Sequence, residues 1–286
     1  MSTLSCPQLI DCQRYPLDQQ DSPQLARTIA DVQAALAQDG CAVLPGFLSE
    51  HGLDALIQEA RSRVDKVYYS PQQRCNVYFD DGDPDLADSH PRNRFLNRTN
   101  GFITSDCYGD ETHSRQLYGW QPLAAFLASC LGREELFIYD DPVSNMIVNV
   151  AREGQEFNWH FDTNEFTITL LLQGAESGGE FEYVPGLRSA SDECYGAVAK
   201  VLDGDRSQVK TLQLRPGDLQ FFLGRYSLHR VSPCQGPTPR LLQIMSFTEV
   251  PGVIGSRRRV QTLYGKTTEA HLAAEKNRIR ADGLLD

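Results

Sequence analysis

Apolar residues recur at helical spacing near the start of the chain. Between Pro23 and Gln38 they fall at Leu25, Ile29, Val32, Ala35 and Leu36, which is one side of a helix with 3.6 residues per turn. Gly40 stands where a left-handed C-terminal cap belongs. Cys41-Ala42-Val43-Leu44 then reads as a short buried strand, stopped by Pro45-Gly46. A second amphipathic helix fits Glu50 to Val64, with Leu53, Leu56, Ile57 and Ala60 on one side. Both helices are expected to pack on the outside of a sheet. From Val67 to Cys107 no period is visible, and Asp80-Asp81-Gly82-Asp83-Pro84-Asp85 is polar and turn-rich. Its glycine and glutamate positions do not fit an EF-hand, so it reads as a solvated loop. Helical spacing returns from Ser114 to Cys130.

The pattern changes character beyond residue 136. Met146 to Val150 is strand-like and is followed by a turn at Glu153-Gly154-Gln155. Phe166 to Leu172 is rich in β-formers, and Gly178 to Val184 is closed by Pro185-Gly186. Leu212 to Phe222 reads as two strands joined at Pro216-Gly217. Short strands separated by turns describe an antiparallel barrel or jelly roll. A helix is inserted from Ser191 to Leu202, and a tail helix is expected from Thr267 to Ala281, opened by Thr267-Thr268-Glu269-Ala270. The fold class is therefore mainly β with flanking helices. No composition step or linker interrupts the chain, so residues 1–286 read as a single domain. Residues 1–135 form helical support and a lid region, 136–250 the β core, and 251–286 a helical tail.

Candidate chemistry lies within the β core. His160-Phe161-Asp162 on an extended segment places both polar side chains on one face. His229, from a later strand, completes a set of three ligands. Two imidazoles and one carboxylate leave the opposite face of an octahedral metal open, the arrangement of non-heme iron(II) oxygenases. The tripeptide alone is weak; the ordered strands around it give it weight. Arg240 lies across the turn Cys234 to Pro239 from His229. Its planar, two-pronged guanidinium suits an acidic cosubstrate bound in the open half. Arg230 competes for that role, but as the neighbour of His229 it should face the other way. Arg225 is a weaker candidate still.

Over residues 136 to 250 the order and spacing of these parts resemble the iron(II)/2-oxoglutarate-dependent oxygenases. The resemblance implies a double-stranded β-helix (jelly-roll, cupin-like) core with supporting helices at both ends. It implies Fe(II) on His160, Asp162 and His229, and 2-oxoglutarate on Arg240 with Asn149 nearby. More narrowly, His160 to Asn164, Gly179 to Gly186 and Ser227 to Val231 look like the branch holding free amino-acid halogenases and their hydroxylase relatives. The halogenases replace the carboxylate ligand with a small residue, so Asp162 points to the hydroxylating side. The expected reaction hydroxylates a small free molecule, an amino acid or derivative, while 2-oxoglutarate becomes succinate. For substrate contacts, Arg98 in the three-arginine run Arg92 to Arg98 is a candidate carboxylate partner. Asn145 stands at the barrel entrance, and Trp159 beside the first ligand could shape the pocket. Two other classes stay open: a 2-oxoglutarate-independent cupin-type metal enzyme, and a non-catalytic jelly-roll binding module.

Composition narrows the setting. A hydrophobic content of 41% supports a substantial core, and a net charge of -11 disfavours nucleic acid as a partner. No apolar run approaches the roughly 18–20 residues of a membrane span, and the N-terminus lacks a signal peptide's basic start. The eight cysteines form no Cys-x-x-Cys pair and read as reduced thiols in a cytoplasmic protein. Expected partners are a small-molecule substrate and dioxygen; a homodimer is compatible with the chain. His51, His90, His113 and His271 fall outside the ligand pattern and read as surface residues.

Overall fold

The computed structural model describes residues 4–275 and 284. In chain order its principal strands are β1 (Cys41–Leu44), β2 (Tyr68–Tyr69), β3 (Gly101–Ile103), β4 (Met146–Ala151), β5 (Phe157–His160) and β6 (Thr167–Gln173). They continue as β7 (Phe181–Val184), β8 (Lys210–Leu212), β9 (Leu219–Phe222), β10 (Leu228–Val231) and β11 (Arg240–Met245). Seven of them form one sheet in the order β1-β9-β6-β11-β4-β3-β2, and four form a second in the order β8-β7-β10-β5. Every pairing is antiparallel. The two sheets enclose a cavity between them, giving the double-stranded β-helix, or jelly-roll, core.

Strand alternation decides which side chains meet the cavity. Along β11, Leu241 and Met245 enter the main apolar core, whereas Leu242 and Ile244 line the cavity. The outer face of the larger sheet is covered by α1 (Pro23–Asp39), α2 (Glu50–Arg61), α3 (His113–Tyr118) and α4 (Gln121–Leu131). Leu25, Val32, Leu56, Phe126 and Leu127 pack there against Val148, Ile168, Leu170, Phe221 and Leu241. Each such buried side chain contributes about 1.5–3 kcal/mol. The functional interior can therefore carry polar groups, because stability resides on the other face. Gly40 caps α1 in the left-handed region at φ 61 and starts β1 directly after it.

Several elements differ from expectation for local reasons. The run Ser114 to Cys130 is two helices, because Gly119 ends α3 and Pro122 fits only a helix start. Within the aperiodic region lie β2 and β3, too short to display alternation. The Pro216-Gly217 turn carries the chain from the smaller sheet to the larger one, so β8 and β9 do not pair with each other. The insertion becomes helical only at α5 (Tyr195–Leu202). At the C-terminus, α6 (Arg257–Tyr264) precedes α7 (Glu269–Ala274). Of the tail helix expected from Thr267 to Ala281, the part beyond residue 275 lies outside the described residues. The acidic loop answers to an arginine: Arg92 binds Asp80 at 2.8 Å and Asp83 at 2.9 Å.

Candidate metal centre

β5 and β10 are neighbours in the smaller sheet, and His160 stands directly opposite His229. Cross-strand partners have adjacent Cβ atoms, and the two imidazole centroids are 4.1 Å apart. Asp162 follows β5 immediately and turns back to them. Its Oδ1 lies 3.9 Å from His160 Nε2 and 3.5 Å from His229 Nε2. Donor atoms of these three residues all lie within 4.8 Å of one another. These three residues would hold one metal ion between them.

Hydrogen bonds fix the direction of every donor. His160 Nδ1 is 2.7 Å from the Asn158 carbonyl oxygen, and His229 Nδ1 is 2.9 Å from that of Ser227. Each Nδ1–H therefore donates to backbone, which leaves the Nε2 lone pair free for a metal. Thr167 Oγ1 donates to Asp162 Oδ2 at 2.8 Å, leaving Oδ1 toward the imidazoles. Gly224 makes room: a Cβ there would sit 2.1 Å from Asp162 Oδ2. Burial, then the charge of His229, hold the His160 imidazole well below its ordinary range. Burial works to raise the Asp162 carboxyl, but His229, His160 and Thr167 together leave it below the carboxylate range. With both Nδ1–H groups engaged on backbone, the site presents two imidazole Nε2 atoms and one anionic oxygen, a set suited to a divalent cation.

The cavity above the ligands encloses about 170 Å³ and is walled mainly by apolar and aromatic side chains. Asn149 lines it, across the sheet from Leu242. Arg240 lies on the same inner face as Leu242, two residues before it at the start of β11, outside the cavity wall itself. It is 3% exposed, and its Nη1 has no hydrogen-bond partner. Burial pushes its guanidinium down to about 10. Arg230 turns to the opposite face, bound to Glu182 and over the Trp159 ring at 4.9 Å. Arg225 donates to the Thr163 carbonyl at 2.8 Å.

Three residues expected at the substrate lie off the cavity wall. Trp159 alternates with His160 and so faces the outside of the smaller sheet, packed with Val184 and Leu228. Asn145 is tied to Ser105 and to Arg115 at 3.1 Å. Arg98 is buried at 1% exposure and donates to the Gln72 carbonyl at 2.8 Å, behind the cavity wall.

The tail closes the cavity, which the sequence reading missed. Arg259, Val260, Leu263 and Tyr264 of α6 line it. Ser256 caps α6, accepting from Arg259 N at 3.3 Å, so Ser256-Arg257-Arg258-Arg259 held the available signal. One carboxylate fastens this segment at both ends. Asp141 Oδ1 accepts from Val143 N and Ser144 N, while Oδ2 accepts from Gly255 N at 3.1 Å and meets His271 Nε2 at 3.0 Å. Thr268 N donates to His271 Nδ1, so the His271 proton is on Nε2, aimed at Asp141. Expected at the surface, His271 is instead 0% exposed. All eight cysteines are free thiols.

The halogenase D family model matches residues 25–251. No curated protein matches the sequence significantly. Among solved structures, AviO1 from Streptomyces viridochromogenes Tue57 superposes with a TM-score of 0.54 at 16% identity, over 78% of this chain and 96% of that one. The non-heme alpha ketoglutarate dependent epimerase SnoN from nogalamycin biosynthesis gives 0.53 at 16% identity, over 78% and 83%. A 2OG-Fe(II) oxygenase family oxidoreductase from Burkholderia pseudomallei gives 0.51 at 16% identity, over 78% and 91%. At such identity the likeness is one of fold. No helix among the described residues is long and apolar enough to cross a membrane.

Proposed function

The chain belongs to the halogenase D family, and on that premise we propose that it is an iron(II)- and 2-oxoglutarate-dependent oxygenase that hydroxylates a small free molecule. An amino acid or close derivative is the substrate class that the resemblance of its motifs favours. One observation carries this reading: Nε2 of His160, Nε2 of His229 and Oδ1 of Asp162 converge, with each imidazole's other nitrogen already engaged. Those three atoms would hold the metal. Arg240, with a buried Nη1 that has no partner, would receive the far carboxylate of 2-oxoglutarate, and Asn149 would face the cosubstrate from the cavity wall. Iron with its cosubstrate and dioxygen supplies the oxidising power needed to hydroxylate an unactivated carbon. The protein's part is to orient and to exclude water. Thr167 keeps Asp162 turned to the imidazoles, and Phe102, Phe157, Phe181 and Phe222 keep the cavity dry.

The carboxylate of Asp162 favours hydroxylation over halogenation. Held between two imidazoles, it fills the place where the resembling halogenases carry a small residue. A screen of free amino acids and small acids with iron(II) and 2-oxoglutarate, reading succinate and product mass, tests the proposal. At least one substrate should give stoichiometric succinate and a product heavier by one oxygen, and His160→Ala or His229→Ala should abolish both. Turnover like the wild type in either variant at limiting iron would refute the ligand set.

A further inference from the structure

Arg259 is the cavity cation to which the proposed chemistry assigns no task. It stands in the first turn of α6 and lines the cavity. Its Nη1 is buried with no hydrogen-bond partner, an unfavourable state unless an acceptor arrives. Among the described residues lining the cavity, Asp162 alone bears a carboxylate, and it is directed at the imidazoles. Behind the wall, Arg98 also has Nε and Nη1 buried without partners. The two guanidinium groups repel one another, and the acid that acts on Arg259, Asp162, is already committed to the imidazoles.

The placement of Arg259 is built rather than incidental. Its guanidinium carbon lies 4.3 Å from the centre of the Phe79 ring, which holds it by cation–π attraction. Phe79 itself is left-handed, at φ 60, a conformation non-glycine residues adopt only under constraint. The constraint is Asn76, fully buried, whose Oδ1 accepts from Tyr78 N and Asp80 N at 3.1 Å each. Held so, the Phe79 ring meets His160 edge-on at 5.8 Å. Arg259 thus rests on a ring that abuts a metal ligand, and Asp141 fastens the segment that carries its helix at Gly255 and at His271 of α7.

Charge counting then says what is missing. The charges are those of the oxygenase site proposed above. Iron(II), the Asp162 carboxylate, the 2-oxoglutarate dianion and Arg240 cancel among themselves, leaving Arg259 as the uncompensated charge. The walls nearby, including Phe102, Ile147, Leu242, Ile244 and Leu263, are apolar, and an ammonium would find no free carboxylate there. We propose that Arg259 is the receptor for a substrate carboxylate, and that the substrate class is small carboxylic acids with an apolar body, for which an amino group is dispensable.

Calorimetric titration of the protein loaded with zinc(II) and 2-oxoglutarate, which cannot turn over, tests this with hexanoate, norleucine and hexylamine. Hexanoate and norleucine should bind alike, and hexylamine at least about tenfold more weakly. Arg259→Gln should weaken hexanoate by about tenfold to a hundredfold, while hexylamine and 2-oxoglutarate bind as before. Arg259→Lys, which keeps the charge and the stem, should recover part of the loss and guards against a folding artefact. Hexylamine binding as tightly as hexanoate, or hexanoate indifferent to Arg259→Gln, would overturn the assignment. So would a loss of 2-oxoglutarate affinity in Arg259→Gln with hexanoate unchanged, since Arg259 would then serve the cosubstrate. A wild-type protein that fails to bind 2-oxoglutarate refutes the oxygenase reading by itself. Hexanoate titrated into the metal-free protein still decides the role of Arg259 in that case.

Discussion

Gly224 leaves the space in which the Asp162 carboxylate turns toward the imidazoles, and Gly224→Ala fills it. The added Cβ would lie 2.1 Å from Asp162 Oδ2, 2.7 Å from Cγ and 2.9 Å from Cβ, where ordinary contact begins at 3.4 Å. The backbone is poorly placed to yield, because Asp162 N donates to the Gly224 carbonyl at 3.0 Å. The carboxylate must therefore swing by about 1 Å or more, breaking its bond from Thr167 and carrying Oδ1 away from the histidines. Disturbing a ligand's supporting partners costs about 10–100-fold in metal affinity. Displacing the ligand itself should reach at least the upper end, about a hundredfold or 2.7 kcal/mol. Cobalt(II) titration of the metal-free protein, followed by absorbance, measures it beside Asp162→Gly and the double variant. Because Asp162→Gly removes the clashing atoms, Gly224→Ala should cost almost nothing further in that background. Wild-type cobalt affinity in Gly224→Ala, or simple additivity in the double variant, would refute the reasoning.

Other consequences follow from the same geometry. Arg240→Ala should leave a buried cosubstrate carboxylate unpaired at a cost of about 3–5 kcal/mol, raising the 2-oxoglutarate requirement about a hundredfold or more with iron binding near normal. Arg230→Ala, on the outer face with Glu182, should leave it unchanged, and the reverse outcome would exchange their roles. Asp162→Gly should lose hydroxylation, with chlorinated product at most minor because substrate placement is not redesigned; full hydroxylation in carboxylate-free buffer would remove Asp162 from the ligand set. Because His160 is held well below its ordinary range in the folded protein, the unfolded chain binds the proton first as pH falls. That imidazole should therefore cost stability progressively below pH of about 6.5, and melting of the metal-free protein should show a shallower acid slope in His160→Gln. Equal slopes would contradict it.

The parts of this fold carried by long periodic runs were legible from the chain alone. The helices α1 and α2 follow from a period of 3.6, the strands β4 and β6 from runs of β-forming residues, and the shared face of His160 and Asp162 from a period of two. Arg230 facing away from Arg240 followed from alternation alone. What escaped notice was set by tertiary partners. Strands β2 and β3 have two and three residues, too few to show a period, and find their place only by pairing, β3 against β4 and β2 against β3. Trp159 was drawn toward the substrate by its nearness in sequence to His160, although the same alternation turns it outward. His271 reads as a surface residue and Arg98 as a substrate partner because charge is all the sequence shows, while burial is decided by what folds over them. Arg259 was hidden in a run of three arginines, two of which are exposed.

The fastening of the tail to Asp141 separates two kinds of information along the chain. The donors of the metal centre come from the smaller sheet and the turn after β5, whereas one wall of the cavity, with the proposed receptor Arg259, is written in residues 255–264. One can be rewritten without the other. A variant or relative could change what it accepts by altering Arg259, Val260 or Leu263 alone, leaving every metal donor and its hydrogen bond in place. The condition on such a rewriting is narrow: an N–H at position 255 and an imidazole at 271 must still meet Asp141. This makes that buried carboxylate the joint at which selectivity can be exchanged while reactivity is inherited.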